Sequence, residues 1–229
     1  MKEDALSELS DIVFLFDVDN TLFDNDQFHA DFSKYLLERY DFAVHNRFLE
    51  IFEQIRSELG YADYFGAIER YRIEAIHDQN VLHIANWLVD YPFNERLYPD
   101  AIAVVQAAQR IGVTAILSDG DAVFQPHKIQ KSGLLAVFYD NVLIYIHKEL
   151  ELADVERHFP ATHYVLIDDK PRVLESVKQT WADRVTTIFP RQGHYAKHRE
   201  DVTKFPPADI TVNHIGDLLD IDFQTLINR

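Results

Sequence analysis

Two carboxylates separated by a single residue, Asp17 and Asp19, follow directly after the short apolar run Ile12–Phe16. Clustered carboxylates tolerate ionisation only when a cation lies among them. Oxygen ligands without His or Cys favour a hard ion, Mg²⁺ above all. Beside such an ion Asp17 could attack phosphorus, and Asp19 could protonate the leaving oxygen and later activate water. The pattern therefore indicates phosphoryl transfer.

Polar side chains also follow three other apolar runs: Ser118 and Asp119 after Val113–Leu117, Lys148 after Val142–Ile146, and Asp168 and Asp169 after Tyr164–Ile167. Ligands of an open parallel sheet bind beyond the carboxyl ends of its strands. If the runs are parallel neighbours, these side chains meet at one edge of the sheet. A cation together with Lys148 then forms a positive pocket that suits a phosphate.

Three other lysines compete with Lys148 for the role of the positive group. Lys128 and Lys131 fall on a predicted helix, where a lone Lys is usually solvated. Lys170 is adjacent to the second pair of carboxylates and could supply the charge. Lys148 is the candidate that we favour.

The 11 histidines of the chain do not follow the pattern of a metal site. His194 and His198 are four residues apart, a spacing that can bind metal on a helix. No acidic partner motif accompanies them, so we interpret this segment as a solvated surface turn.

The apolar runs are the elements that must position these side chains. Five of them, the four above and Val185–Phe189, are almost continuously apolar, which is typical of strands buried on both faces of a parallel sheet. Ala122–Ser132 and Arg172–Trp181 have the length of crossover helices, and Ala101–Ile111 reads as a helix that stops at Gly112 as its C′ residue. Alternating strands and helices predict an α/β fold.

One long segment interrupts this alternation. From Asp24 to Tyr98 the apolar residues recur at helical spacing, which predicts three to five amphipathic helices. We predict an α/β core domain over residues 1–22 and 97–229, with a helical domain inserted over residues 23–96. The insert is either a packing layer or a lid over the site.

Composition narrows the classes of function. The 229 residues are 47% hydrophobic and 26% charged, which is typical of a globular protein. The formal net charge of −16 disfavours binding to nucleic acid or to anionic membranes. Cys is absent, no apolar run approaches the length of a membrane span, and the acidic segment Met1–Asp11 lacks the apolar stretch of a signal peptide. We expect a cytoplasmic protein; its oligomeric state is not readable from the sequence.

Taken in order, the motifs resemble those of the haloacid dehalogenase (HAD) superfamily, in its first subfamily with an α-helical cap. Phe16–Phe23 (FDVDNTLF) matches the first motif, with Asn20 where Gly is usual. Leu117–Gly120 is similar to the second motif. Lys148 is similar to the third, with Glu149 in place of the frequent Pro. Val165–Asp169 is similar to the fourth, with Ile167 where Gly is frequent. The helical insert lies between the first and second motifs, where this subfamily has its cap.

The resemblance implies a Rossmann-like three-layer α/β/α fold with a helical cap domain. It further implies that Asp17 accepts the phosphoryl group and that Asp19 is the general acid and base. Mg²⁺ would be held by Asp17, the backbone carbonyl of Asp19 and Asp168, with Asp169 nearby. The resemblance implies that the phosphate is bound by Ser118, Lys148, Asp119 and Thr21. Thr21 would also support the loop of the first motif.

The resemblance favours a Mg²⁺-dependent phosphatase that acts on a small phosphorylated metabolite. A 2-haloacid dehalogenase on the same fold is an alternative, but its reaction needs neither metal nor a leaving-group proton, and such enzymes lack the second Asp that is present here as Asp19. A phosphomutase and a non-catalytic binding protein on this fold are further alternatives.

Overall fold

The computed structural model describes residues 10–77, 80–197 and 203–226. Over these ranges the strands are β1 (Ser10–Phe16), β2 (Val113–Asp119), β3 (Val142–Tyr145), β4 (Ala161–Ile167), β5 (Val185–Pro190) and β6 (Ile210–Val212). They form one sheet in the order β3-β2-β1-β4-β5-β6, and every neighbouring pair is parallel. This confirms the predicted Rossmann-like α/β fold. Residues 1–9, which include most of the acidic N-terminal segment, lie outside the described residues.

The central strand β1 explains why its sequence is apolar without alternation. Phe14 and Phe16 pack into one hydrophobic cluster, and Val13 and Leu15 pack into a second cluster on the opposite face of the sheet. None of these four side chains is exposed to solvent. A strand with both faces buried needs apolar residues at every position, as predicted.

Ten α-helices accompany the sheet over the described ranges. Six of them flank the strands: α5 (Ala101–Gln109), α6 (Phe124–Lys131), α7 (Leu134–Val137), α8 (Leu152–His158), α9 (Pro171–Trp181) and α10 (Gly193–Lys197). None of the helices in the described part of the chain has the length and apolar character needed to cross a membrane.

The other four helices lie between β1 and β2 and are called the helical insert here: α1 (Asn25–Arg39), α2 (Phe42–Leu59), α3 (Tyr64–Glu74) and α4 (Asn80–Asp90). The side chains of Asp24, Asp41 and Asp63 accept backbone N–H groups and so cap α1, α2 and α3. The segments that enter and leave the insert pair with each other, since Tyr98 N–H donates to Leu22 O at 2.9 Å. The domain boundaries 22/23 and 96/97 remain predictions.

Gly112 is required for a different reason from the one predicted. Helix α5 already ends at Gln109, and Gly112 does not have the left-handed φ of a C′ glycine. A Cβ atom at this position would lie 2.5 Å from the carbonyl oxygen of Ile12 in β1, so only glycine permits this approach of the two backbones.

We therefore expect Gly112→Ala to destabilise the protein by about 1–3 kcal/mol, the usual cost of overpacking a tight contact. The chemical denaturation midpoint measures this loss. An unchanged midpoint would show that β1 can move away from residue 112 at no cost.

Candidate active site

The register of the sheet brings the predicted carboxylates together. Phe16 at the end of β1 lies beside Ile167 at the end of β4, so Asp17 and Asp168 leave the sheet at neighbouring points. One oxygen each of Asp17, Asp168 and Asp169 lies within 4.8 Å of the others, and all three side chains are buried. The structure thus assembles the predicted acidic cluster at the carboxyl edge of the sheet.

Lys148 lies within this cluster and is fully buried. Its Nζ is 2.5 Å from Asp17 Oδ1, 2.6 Å from Asp168 Oδ2 and 3.1 Å from the carbonyl oxygen of Leu117. The backbone N–H of Lys148 donates to Asp119 Oδ1 at 2.8 Å, which fixes the turn after β3. Of the competing lysines, Lys148 is the one that contacts Asp17.

Burial and mutual repulsion dominate the electrostatics of the cluster. Burial, opposed by the nearby Lys148, raises the pKa of Asp168 to about 6. Burial and the charges of Asp17 and Asp168 raise the pKa of Asp169 well above its usual value. Burial alone would lower the pKa of Lys148, but the charges of Asp168 and Asp17 outweigh it and raise that pKa. Lys148 therefore stays charged while the carboxylates lack sufficient positive charge around them.

The unsatisfied oxygens of the cluster fit a hard cation. Asp17 Oδ2 and both oxygens of Asp169 are buried and accept no hydrogen bond from any residue that the structure describes. Asp168 Oδ2 meets Lys148 only as an ion pair, without hydrogen-bond geometry. Buried carboxylate oxygens of this kind are costly unless an ion coordinates them. The donor set, oxygen alone, is that of Mg²⁺.

The loop after β1 is held by side-chain contacts. Asn20 has a left-handed φ of 59°, a conformation that Asn tolerates better than most residues with a side chain. Its amide accepts from Asp26 N–H at 3.1 Å and donates to Asp26 Oδ1 at 3.0 Å, which joins the loop to the start of α1. The hydroxyl of Thr21 accepts the backbone N–H of Asp169 at 3.1 Å, so Thr21 connects the first motif to the fourth.

His194 belongs to the same junction and differs from its prediction as a solvated turn. Its Nδ1 lies 2.7 Å from Asp26 Oδ1 and 3.3 Å from Asn20 Nδ2. Burial disfavours the charge of Asp26, but the hydrogen bond and charge of His194 outweigh it and lower the pKa of Asp26. His198, the other half of the predicted pair, lies outside the described residues.

Ser118 and Asp119, at the end of β2, face the same edge. Ser118 is buried, and its Oγ accepts a hydrogen bond from Gln125 Nε2 at 2.9 Å. Asp119 Oδ2 lies 3.6 Å from Lys170 Nζ. Lys170 thus lies beside the site but pairs with Asp119 instead of Asp17.

The structure places Lys128 in the site, whereas the sequence pattern predicts a solvated lysine. Its side chain is buried, and its Nζ lies 2.5 Å from Asp19 Oδ1. A signal was present in the sequence, because Lys128 is four residues after the apolar Phe124 and so lies on the buried face of α6. Lys131, by contrast, is exposed as predicted.

A cavity of about 630 Å³ opens over this edge of the sheet. Asp19, Gln125 and Lys128 line it from the α/β part, and the facing wall from the helical insert includes His29, Phe52 and Tyr64. The insert therefore covers the site and encloses space for a small molecule.

Comparisons with known proteins agree with this arrangement. A family model described as haloacid dehalogenase-like hydrolase matches residues 13–159. A haloacid dehalogenase-like hydrolase from Burkholderia xenovorans LB400 is 50% identical, with a TM-score of 0.89 over 94% of this chain and 98% of that one. No curated protein matches the chain significantly.

Two more distant structures share the fold alone. The L-2-haloacid dehalogenase from Xanthobacter autotrophicus is 20% identical, with a TM-score of 0.60 over 90% of this chain and 96% of that one. A magnesium-bound HAD hydrolase from Bacillus subtilis is 14% identical, with a TM-score of 0.62 over 92% of this chain and 97% of that one.

Proposed function

Because the chain belongs to the haloacid dehalogenase-like hydrolase family and is a hydrolase, we propose that it is a Mg²⁺-dependent phosphatase acting on a small phosphorylated metabolite. The observation that carries this proposal is the buried cluster of Asp17, Asp168 and Asp169, in which Asp17 Oδ2 and both oxygens of Asp169 accept no hydrogen bond from the described residues. Such a cluster suits a metal that neutralises a phosphate, and the displacement of halide from carbon has no use for it. The cavity of about 630 Å³ suits a small substrate.

In the proposed first step a carboxylate oxygen of Asp17 attacks phosphorus, and the bond from phosphorus to the ester oxygen breaks. Asp19 gives its proton to that departing oxygen, so an alcohol leaves and an aspartyl phosphate remains on Asp17. Lys148 neutralises charge on Asp17 and on the phosphoryl oxygens. Ser118 Oγ, which Gln125 orients, donates a hydrogen bond to the same oxygens.

In the second step water attacks phosphorus while Asp19 accepts its proton, and the bond from phosphorus to Asp17 breaks to release phosphate. Asp17, Asp168, Asp169 and the backbone carbonyl of Asp19 would hold Mg²⁺. When bound, the ion supplies positive charge to the phosphoryl oxygens. Thr21 keeps the fourth motif in register with the first through the backbone of Asp169.

Asp19 separates this proposal from the dehalogenase, and the acceptor of the phosphoryl group separates it from the phosphomutase. Displacement of halide from a 2-haloacid leaves an anion that needs no proton, so a dehalogenase has no use for a second carboxylate beside the cavity. A phosphomutase uses the same groups but passes the phosphoryl group to a sugar hydroxyl instead of to water. Release of inorganic phosphate in the absence of any sugar acceptor distinguishes hydrolysis from that transfer.

We expect the protein to hydrolyse p-nitrophenyl phosphate in MgCl₂ and to lose at least about 10²-fold of this activity in EDTA, since the metal contributes several kcal/mol to charge stabilisation. Added MgCl₂ should restore the activity. The parallel assay measures halide release from 2-chloropropionate. Halide release in EDTA, with no hydrolysis of the phosphate ester, would establish the dehalogenase instead.

A further inference from the structure

Lys128 is a buried cation that the proposed steps do not use. Only 3% of its side chain is exposed, and its Nζ is 2.5 Å from Asp19 Oδ1. The remaining surroundings are Asn25 Oδ1 at 3.4 Å and the rings of Phe23 and Phe124, whose centroids lie 5.4 Å and 5.9 Å away. The ammonium group therefore has one close polar partner in the described structure, and that partner is Asp19.

A second side chain of the same helix lies near the other oxygen of Asp19. Gln125 Nε2 is 3.5 Å from Asp19 Oδ2 and donates to Ser118 Oγ at 2.9 Å. Gln125 is buried, and its Cβ and Cγ fill the space beside Gly120, where a Cβ atom on residue 120 would lie 2.7 Å from each of them. Residues 125 and 128 are one turn apart, so α6 presents both groups to Asp19 on one face.

Helix α6 is itself fixed relative to the sheet edge. The side chain of Asp121 accepts the backbone N–H groups of Val123 and Phe124 at 2.8 Å and 2.6 Å, at the beginning of the helix. Phe124 packs against Phe28 and Phe93 in the hydrophobic cluster. Because the helix is anchored at this end, Lys128 can hold the carboxylate of Asp19 in one orientation.

We infer that Lys128 is a positioning residue that fixes the carboxylate of Asp19 through Oδ1 and leaves Oδ2 as the oxygen that exchanges a proton with the leaving group. The inference rests on the proposed phosphatase function. A small displacement of an acid–base group costs much of its contribution, which is about 10²–10⁴-fold in total. Asp19 on its own is partly exposed and would have other rotamers available without this ion pair.

The test compares two substrates of nearly the same shape, phenyl phosphate and p-nitrophenyl phosphate. Phenolate is a poor leaving group that needs protonation, whereas the nitro group stabilises the phenolate and removes most of that need. We expect Lys128→Met to lower kcat/KM for phenyl phosphate by about 10–100-fold and to change kcat/KM for p-nitrophenyl phosphate by less than about threefold. Lys131→Met is the matched control, since it removes the same charge from an exposed position of the same helix.

A double-mutant cycle with Asp19→Asn tests whether Lys128 acts through Asp19. In the Asp19→Asn background, Lys128→Met should have almost no further effect on phenyl phosphate. Additive losses would overturn the inference. Three other results would overturn it too. An equal loss for both substrates would indicate a structural role, and a rise in KM alone would indicate direct substrate binding. No change in either substrate would indicate that Lys128 has no role. If Lys128→Met does not fold, Lys128→Gln replaces it, since glutamine keeps a hydrogen-bond donor in less volume. The measure is then the ratio of kcat/KM for phenyl phosphate to kcat/KM for p-nitrophenyl phosphate.

The wild-type protein separates failure of this inference from failure of the proposed function. Hydrolysis of both phosphate esters by the wild type, together with unchanged selectivity in Lys128→Met, would overturn only the role of Lys128. A wild type that hydrolyses neither ester would overturn the proposed function, and the role of Lys128 with it.

Discussion

Replacement of Asp17 by Asn is expected to lower kcat for p-nitrophenyl phosphate by about 10⁴-fold or more. The amide is a poor nucleophile and cannot form the aspartyl phosphate, while the shape of the side chain is nearly unchanged. Lys148 still pairs with Asp168 in this variant, so the remaining site keeps its main ion pair. Release of inorganic phosphate measures the loss.

In EDTA the Asp17→Asn variant should be at least as stable as the wild type. Asp17, Asp168 and Asp169 are buried close together beside the ammonium group of Lys148, and an amide in place of the first carboxylate relieves part of their mutual repulsion. Active sites often hold such unfavourable groups for the sake of function. Thermal unfolding of wild type and Asp17→Asn in EDTA makes the comparison.

Asp11→Asn is the matched control, because it makes the same chemical change at an exposed position of β1, the strand that directly precedes Asp17. It should retain full activity. Two results would contradict the assignment of Asp17: residual turnover within about tenfold of wild type, or a clear fall in thermal stability that accounts for the lost activity.

The location of the site could be predicted because it depends on strands that the sequence marks clearly. Four of the five apolar runs lie almost wholly in the buried core, so their ends are easy to locate, and parallel pairing brings the following residues to one edge. Val142–Ile146 differs from its prediction as a strand buried on both faces, because β3 is an edge strand of the sheet: its residues are half-buried and Ile146 is exposed. Phe16, which pairs with Ile116 on one side and with Ile167 on the other, shows this directly. The three-residue strand β6 was not predicted, since three residues at the edge of a sheet leave no distinctive pattern.

Contacts between the site and its surroundings could not be predicted, because they depend on how helices pack over the sheet. Lys128 is buried on the face of α6 whose Phe124 packs against Phe28 and Tyr64 of the helical insert. A lysine four residues after Phe124 identifies that helix face without showing what covers it. The contact between His194 and Asp26 joins residues 168 positions apart in the sequence. Local patterns specify neither contact.

The largest expected effect on stability follows from Lys148→Met in EDTA. The ammonium group of Lys148 is the positive group that contacts both Asp17 and Asp168, and methionine keeps most of the length of the side chain without its charge. Breaking a buried ion pair by removing one partner costs about 3–5 kcal/mol. For a chain of this size we expect Tm to fall by roughly 10 °C, whereas Lys131→Met should change it little.

Mg²⁺ should reverse part of this loss, and the size of the reversal tests the metal site independently of activity. A cation among Asp17, Asp168 and Asp169 replaces positive charge that the variant lacks, so MgCl₂ should raise the Tm of Lys148→Met more than that of the wild type. The ion binds ionised carboxylates, and burial raises the pKa of Asp168 to about 6. Protons therefore compete with the ion at low pH, and the Mg²⁺-dependent rise in Tm should be larger at about pH 8 than at about pH 5. If MgCl₂ raised the Tm of Lys148→Met and of the wild type equally at both pH values, Mg²⁺ would bind away from these three carboxylates.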